Sequence, residues 1–344
     1  LPLTSEQGYN INYREVFMEQ QDVYRELSKK LMMENSSVLP RIWKILCSEE
    51  EARVVNALPA TLEDLAGTFG KGTEEMRGML DELFHRGVVF DYAKDGITYY
   101  RMPRHVVQFH DATILWEEGP SELMGLWEEF SDTDYKELLE LVTTIKLPSF
   151  MRVIPINETI AVKNQVLAYE DAVEILKSSN PLAVTTCVCR KLMKRCDGPL
   201  EVCIQLNKGA EYTLKRGTGR KIDLEEALAI LKESEEAGLV HLTENTPGRS
   251  NVLCNCCSCC CEMLRFATDT KTKGVIAPSR FQARVDSGNC SGCGACEDIC
   301  PVDAVRLDTD DQAHVKADEC IGCGLCASAC PVEAIVLKEV RPAT

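Results

Sequence analysis

No stretch of this sequence approaches the roughly 18 consecutive apolar residues that a membrane-spanning helix requires, so no span is expected. The opening segment, LPLTSEQGYNINYREVF, lacks a basic region followed by an apolar one. No secretory leader is therefore expected, and the reading is a cytoplasmic protein. Basic residues are in short supply, 38 against 54 acidic ones, which leaves a formal charge of -16. Such a surface repels phosphate backbones and anionic membranes, and suits basic partners or none. The histidines His85, His105, His110, His241 and His314 are scattered and make no metal-binding spacing. KRGTGRK, 215–221, is basic and glycine-rich but lacks both phosphate-binding spacings, G-x4-G-K-[ST] and G-x-G-x-x-G, and reads as a surface turn. No nucleophile triad, paired-carboxylate site or haem motif stands out.

Cysteine is almost missing from the first half. Cys47, after RIWKIL, is alone in the first 186 residues and reads as a small core residue. The other eighteen lie between Cys187 and Cys330. An odd total of 19 in a reducing compartment does not read as a disulfide framework, which leaves metal or redox chemistry. The first half then supports or recognises something, and the second half carries cofactors.

The most specific signal is an internal repeat. Residues 290–301 read CSGCGACEDICP and 320–331 read CIGCGLCASACP, each C-x2-C-x2-C-x3-C-P. A cubane has four iron corners, and the two-residue spacing lets one tight loop deliver three thiolates. The fourth cysteine, expected to start a short helix pointing away, ligates the other cubane in two-cluster ferredoxins. One [4Fe–4S] cluster is thus expected on Cys290, Cys293, Cys296 and Cys330, the other on Cys320, Cys323, Cys326 and Cys300. Gly292, Gly294, Gly322 and Gly324 keep the loops free of Cβ atoms and offer N–H groups to the sulfides. Pro301 and Pro331 end the loops, and AVRLD and AIVLK read as the strands that follow. Structural zinc is the competing occupant, but duplication with a Cys-Pro end argues against it. From Gln282 on there are 11 acidic and 5 basic side chains, a surround that disfavours added electrons and lowers the potentials.

Upstream, TTCVCRKLMKRCDGPLEVCIQL supplies Cys187, Cys189, Cys196 and Cys203. CNCCSCCC, 254–261, adds Cys254, Cys256, Cys257, Cys259, Cys260 and Cys261. Between them IDLEEALAILKESEEAGL reads as a helix capped by Asp223 and stopped by Gly238, and LVHLTEN as a strand. One domain folding both cysteine groups onto a common region is the expectation. Ten thiols exceed one cubane. The run therefore splits between two sites, holds a larger cluster, or leaves one or two cysteines free for redox chemistry. One or two further iron–sulfur clusters rank first, zinc–thiolate second and a purely thiol-based site third. Arg190, Lys191, Lys194 and Arg195 among these cysteines favour thiolates, raise a cluster's potential or greet an anionic ligand; a solvated helix face is the equal alternative.

In the first half, TLEDLAGTFG puts Leu62, Leu65, Ala66 and Phe69 on one helical face from an N-cap Thr61. The segment 73–86 repeats this with Met76, Met79, Leu80 and Leu83, and VVF and ITYYRM read as strands. This helix-turn-helix with a wing resembles a winged-helix module. Between Lys71 and Arg86, however, three basic side chains face four acidic ones, a poor match to DNA.

The last sixty residues resemble a bacterial-type 2[4Fe–4S] dicluster ferredoxin. More broadly the chain is similar to a family of cysteine-rich multi-cluster iron–sulfur proteins of anaerobes, with a winged-helix-like N-terminal region and TTCVCR and CNCCSCCC motifs. The resemblance implies electron transfer in anaerobic metabolism and supplies no substrate. The expected fold is α+β and multidomain: an N-terminal helical arm (1–38), a winged-helix-like and helical region (39–147), a cysteine-rich α/β domain (148–280) and a ferredoxin-like dicluster domain (281–344). The expected function is an electron-transfer protein or redox-enzyme subunit working with redox protein partners. The alternatives are an oxidoreductase with a substrate site at the cysteine-rich centre, or a redox-sensing winged-helix regulator.

Overall fold

The computed structural model describes residues 22–162, 166–246, 250–270 and 274–342. The chain divides into two compact units, one ending at Thr113 and the other beginning at Ile114. Of the helical arm read over 1–38, the part before residue 22 lies outside the described residues.

In the first unit, helices α1 (Val23–Lys30), α2 (Leu39–Leu46) and α3 (Glu49–Asn56) precede a short strand, β1 (Ala60–Thr61). Ser48 and Glu51 close a reciprocal capping box at the start of α3, satisfying two N–H groups that the helix leaves free. Thr61 caps α4 (Leu62–Phe69) through Asp64 N–H, and Gly70 ends it in the left-handed conformation. Helix α5 (Thr73–His85) follows, then the hairpin β2 (Phe90–Lys94) and β3 (Ile97–Arg101), with β1 pairing antiparallel to β3. Leu62, Leu65 and Ala66 from α4 and Met76, Leu80, Leu83 and Phe84 from α5 are buried, while Phe69 and Met79 stay half-buried. Glu74, Glu75, Asp81 and Glu82 line the exposed side of α5, and Lys71 is held between Glu50 (2.9 Å) and Glu75 (2.5 Å). Helix α6 (Val106–Ile114) completes the core by stacking Phe109 on Trp43, ring centroids 4.1 Å apart. Cys47 is 2% exposed, and burial pushes its thiol well above the ordinary range; it is a packing residue.

The second unit opens with helices α7 (Ser121–Asp132) and α8 (Asp134–Thr144). Then come β4 (Met151–Ile154), α9 (Ala172–Lys177), β5 (Leu182–Thr185), α10 (Val188–Met193), β6 (Cys203–Leu206), α11 (Lys208–Arg216) and β7 (Gly219–Ile222). Helix α12 (Leu224–Glu236), β8 (Val240–Glu244), β9 (Val252–Cys256), α13 (Glu262–Asp269) and β10 (Ile276–Ala277) follow. The seven strands form one sheet in the order β10-β4-β8-β9-β6-β5-β7, antiparallel except for β10 against β4. Val184, Ile204, Leu206 and Leu253 from the sheet pack with Ala227, Ile230 and Leu231 of α12. Asp223 caps α12 through Glu226 N–H at 2.9 Å, and Gly238, at φ +70°, turns the chain into β8. Arg216 is buried, so KRGTGRK is the end of α11, a left-handed Gly217 and the start of β7.

The C-terminal module contains β11 (Phe281–Val285), α14 (Ala295–Asp298), β12 (Val305–Leu307), β13 (Ala313–Val315), α15 (Leu325–Ser328) and β14 (Ile335–Glu339). Strands β11 and β14 pair antiparallel, as do β12 and β13. One expectation is corrected here: the fourth cysteine of each run does not start a helix. The short helices carry the third cysteine, Cys296 in α14 and Cys326 in α15, and Cys300 and Cys330 follow their ends. Gly294 and Gly324, at φ +80° and +94°, stand immediately before these helices, so each turn begins there.

Arg280, just before β11, clamps the module to the sheet domain by a bidentate pair to Glu170, Nε to Oε1 at 2.6 Å and Nη2 to Oε2 at 2.9 Å. Both side chains are largely buried, 11% and 8% exposed. Arg280 Nη1 also pairs with Glu339 Oε1 at 2.5 Å, so Glu170→Ala removes two charged hydrogen bonds but leaves the guanidinium one carboxylate, and should cost about 1.5–3 kcal/mol, read as a lower denaturant midpoint.

Candidate cluster and metal sites

The two ferredoxin runs fold as a pseudo-symmetric pair. Ala304 N–H donates to Cys300 Sγ at 3.2 Å and Ala334 N–H to Cys330 Sγ at 3.3 Å. Such N–H groups stabilise thiolates and a reduced cluster. A small cavity is walled by Cys300, Cys320, Cys323 and Cys326, with Pro301 and Gly322 beside them and no other cysteine. The fourth cysteine of the first run thus stands with the first three of the second. The thiols bearing on Cys296 are Cys293, Cys290 and Cys330, the converse set. Four sulfurs around one cavity suit an iron–sulfur cluster, the group the runs imply.

The pair is unequal in its surroundings. Cys293 is exposed, whereas its counterpart Cys323 is buried, and burial raises its thiol to about 12. Ile156 N–H donates to the Cys323 carbonyl at 2.9 Å, Ser279 N–H to that of Ile321 at 3.0 Å, and Ser279 Oγ to that of Gly322 at 2.7 Å. The second run is therefore buried against the sheet domain around Cys323, while the first, whose Ile299 lies against Gly238, is open at Cys293.

In the sheet domain the ten cysteines separate. Strand alternation puts Cys254 and Cys256 of β9 on one face. Cys187 caps α10, Cys189 lies in its first turn, and Cys261 caps α13. These five form one thiol group: Cys187 contacts Cys189, Cys189 contacts Cys261, and Cys256 contacts both Cys254 and Cys261. Cys261 is the acceptor at its middle. Hydrogen bonds from the Cys189 and Cys256 thiols, then from the Leu264 and Met263 N–H groups, hold it well below the ordinary thiol range despite burial. Ile204 faces Leu253 and Gln205 faces Val252, so the same register carried one step further sets Cys203 opposite Cys254. Gln205 Nε2 also donates to Cys203 Sγ at 3.3 Å.

The other four, Cys196, Cys257, Cys259 and Cys260, have sulfurs all within 4.8 Å of one another. The CNCCSCCC run is thus divided, three thiols to each group.

Between the groups lies Arg190, 2% exposed. Its Nε donates to Pro199 O at 2.9 Å, Nη2 to Asn255 O at 3.0 Å and Nη1 to Cys257 Sγ at 3.5 Å. The solvated-face reading is corrected for this residue: all three guanidinium nitrogens donate, and although burial opposes the charge, Cys187, Cys257 and Cys256 hold the group in its charged form. Lys194 and Arg195 do face solvent, and Lys191 donates to Ile114 O at 2.9 Å.

Sequence reasoning passed over His241. It is buried on β8, its Nδ1 2.6 Å from Asn255 Oδ1 and its Nε2 3.1 Å from Glu235 Oε1. Asn255 Nδ2 donates to Val202 O at 2.7 Å, which fixes the amide so that its oxygen faces the imidazole. Asn255 stands between Cys254 and Cys256, so this network braces the strand that presents them. A histidine facing an Asn between two cysteines on a neighbouring strand leaves no signal in linear spacing.

Residues 283–337 match the family model for a 4Fe-4S dicluster domain. No curated protein and no solved structure matches the chain. Among the described residues no helix is long and apolar enough to cross a membrane. The chain is a mixed α/β protein whose C-terminal part is a ferredoxin-type iron–sulfur domain with an electron-transfer role.

Proposed function

We propose that this protein relays electrons between redox partners in anaerobic metabolism, as a free carrier or as the electron-transfer subunit of an oxidoreductase. Two [4Fe–4S] clusters on Cys290, Cys293, Cys296 and Cys330 and on Cys320, Cys323, Cys326 and Cys300 would carry the current. A further cluster would be held among Cys187, Cys189, Cys254, Cys256 and Cys261. The observation that carries the reading is the asymmetry of the dicluster module, one run open to solvent at Cys293 and the other bonded to the sheet domain at Cys323. The side of the module at Cys293 would be open to a redox partner, while the side at Cys323 is bonded to the domain that holds the further cysteines. The clusters supply one-electron chemistry; the chain supplies spacing, burial and hydrogen bonds to sulfur.

The division at 38, 147 and 280 goes with this reading. The winged-helix-like part of 39–147 is a protein-contact element, because the exposed side of α5 is acidic and its nearest lysine is already paired. A DNA-binding regulator is disfavoured on the same ground.

A second reading is an oxidoreductase acting at the cysteine-rich centre. It is supported by the five thiols of the Cys187 group, one more than a cubane needs. Anaerobic iron and acid-labile sulfide analysis of the full chain tests the main reading. About twelve of each per chain, three four-iron clusters, is the expected result; about eight would confine electron transfer to the C-terminal module.

A further inference from the structure

We infer that Cys196, Cys257, Cys259 and Cys260 bind one zinc ion as a closed tetrahedral thiolate site, distinct from every iron–sulfur cluster of the protein. The argument is one of size. Thiolates at about 2.3 Å from a single zinc ion form a tetrahedron with edges of about 3.8 Å. The Sγ atoms of Cys196 and Cys257, of Cys196 and Cys260, and of Cys259 and Cys260 are each 3.8 Å apart. All four sulfurs fall within 4.8 Å of one another. A cubane cannot be fitted there, because its four thiolates sit on four separate irons and stand roughly 6 Å apart. Among the described residues no other three His, Cys, Asp or Glu ligand atoms are drawn so close, the dicluster cysteines included. Those cysteines belong to a matched iron–sulfur domain and act as an internal control for the wider spacing a cluster needs.

The chain connectivity gives the same answer. Cys259 and Cys260 are neighbours in sequence, and adjacent residues reach one ion more readily than two corners of a cubane. With all four positions filled by protein, nothing is left open for substrate, so the ion is structural. It would join the loop after α10 to the turn before α13, across 61 residues. Four thiolates around a divalent ion leave a net charge of -2, and the surroundings answer it. Arg190 Nη1 donates to Cys257 Sγ at 3.5 Å, and Arg195 N–H donates to the Cys260 sulfur. Such donors orient and stabilise thiolate ligands. The four-thiolate tetrahedron is a geometry that zinc shares with iron–sulfur sites, so the number of metal ions and the presence of sulfide decide between them.

The test is zinc, iron and acid-labile sulfide per chain in the full-length protein and in Cys196→Ser, both purified without oxygen. The expected result is one zinc in the parent and a loss of at least tenfold in zinc occupancy in the variant, with iron and sulfide unchanged. A variant that loses iron and sulfide together would overturn the inference, as would a parent without zinc. Should the variant fail to fold, zinc-edge X-ray absorption on the unmodified protein decides. Four sulfurs at about 2.3 Å support the site, and fewer than four overturn it. The total sulfide of the parent tests the electron relay separately, so either reading can fail alone.

Discussion

Replacing Arg190 by methionine should lower the potential of any cluster in the Cys187 group and loosen the whole cysteine-rich domain. The guanidinium is buried and donates to two backbone carbonyls and one thiol sulfur. Methionine fills much of the volume but leaves the Pro199 and Asn255 carbonyls without a donor, at a cost of about 1–3 kcal/mol for each buried group left unpaired. The electrostatic sign is fixed. A reduced cluster carries one more negative charge, so a neighbouring cation stabilises it and raises its potential; removing the cation lowers it. Arg190→Lys keeps the charge but not the planar fork, and should recover most of the potential and little of the stability. Anaerobic denaturant unfolding reads the first effect and EPR-monitored redox titration the second. The clusters on the dicluster cysteines act as the internal reference and should not move. If the methionine variant titrates like the parent while unfolding earlier, Arg190 is a structural strut only.

How far these sites were legible depends on the distance between the residues that build them. The dicluster module is dense local information: three cysteines per loop, their glycines and a proline fall within twelve positions, so spacing alone grouped Cys300 with Cys320, Cys323 and Cys326, the four that wall one cavity. Its error was also local. The short helices form one residue after Gly294 and Gly324, and a left-handed residue before a helix has no mark beyond glycine itself, so the fourth cysteine was placed at the start of a turn that it follows. In the cysteine-rich domain the reading of two sites stood among three alternatives. The period of strand β9 would have put Cys254 and Cys256 together. Nothing linear, however, says that Cys261 joins them while Cys259 and Cys260 turn to Cys196. That depends on where the turn at 257–260 ends and α13 begins, which is settled by packing across the sheet. Arg190 was ambiguous for the same reason: a six-residue helix with cationic residues at its middle looks solvated until β9 is laid beside it. The helix–helix–hairpin rhythm of the first unit was plain, because its amphipathic periods are uninterrupted.

The largest structural effect expected from one added methyl group is at Gly322. A Cβ there would lie 2.1 Å from Phe281 O and 2.3 Å from Ser279 Oγ, at a φ of +70° that already penalises any side chain by roughly 1–2 kcal/mol. Phe281 O belongs to the backbone of β11 and has no room to yield, so Gly322→Ala must displace the loop that carries Cys320 and Cys323. Its counterpart in the other run, Gly292, would meet Asp311 Cβ and O at 2.7 Å, a surface turn between β12 and β13 that can shift. Gly294 would find nothing nearer than Leu307 at 3.9 Å, which leaves the backbone penalty alone. The expected order of damage is therefore Gly322→Ala, then Gly292→Ala, then Gly294→Ala, although the two runs are near-copies in sequence. Iron content after anaerobic purification should fall by about four per chain in the first, one cubane's worth, and stay near the parent value in the last. Equal losses at Gly322 and Gly294 would mean that the second run is not seated against the sheet domain, and that the inward route for electrons fails with it. A selective loss at Gly322 would tie the position of the inner cluster to the strand that supports it. The repeat makes two similar cysteine runs, and their different neighbours make the same substitution cost different amounts in each.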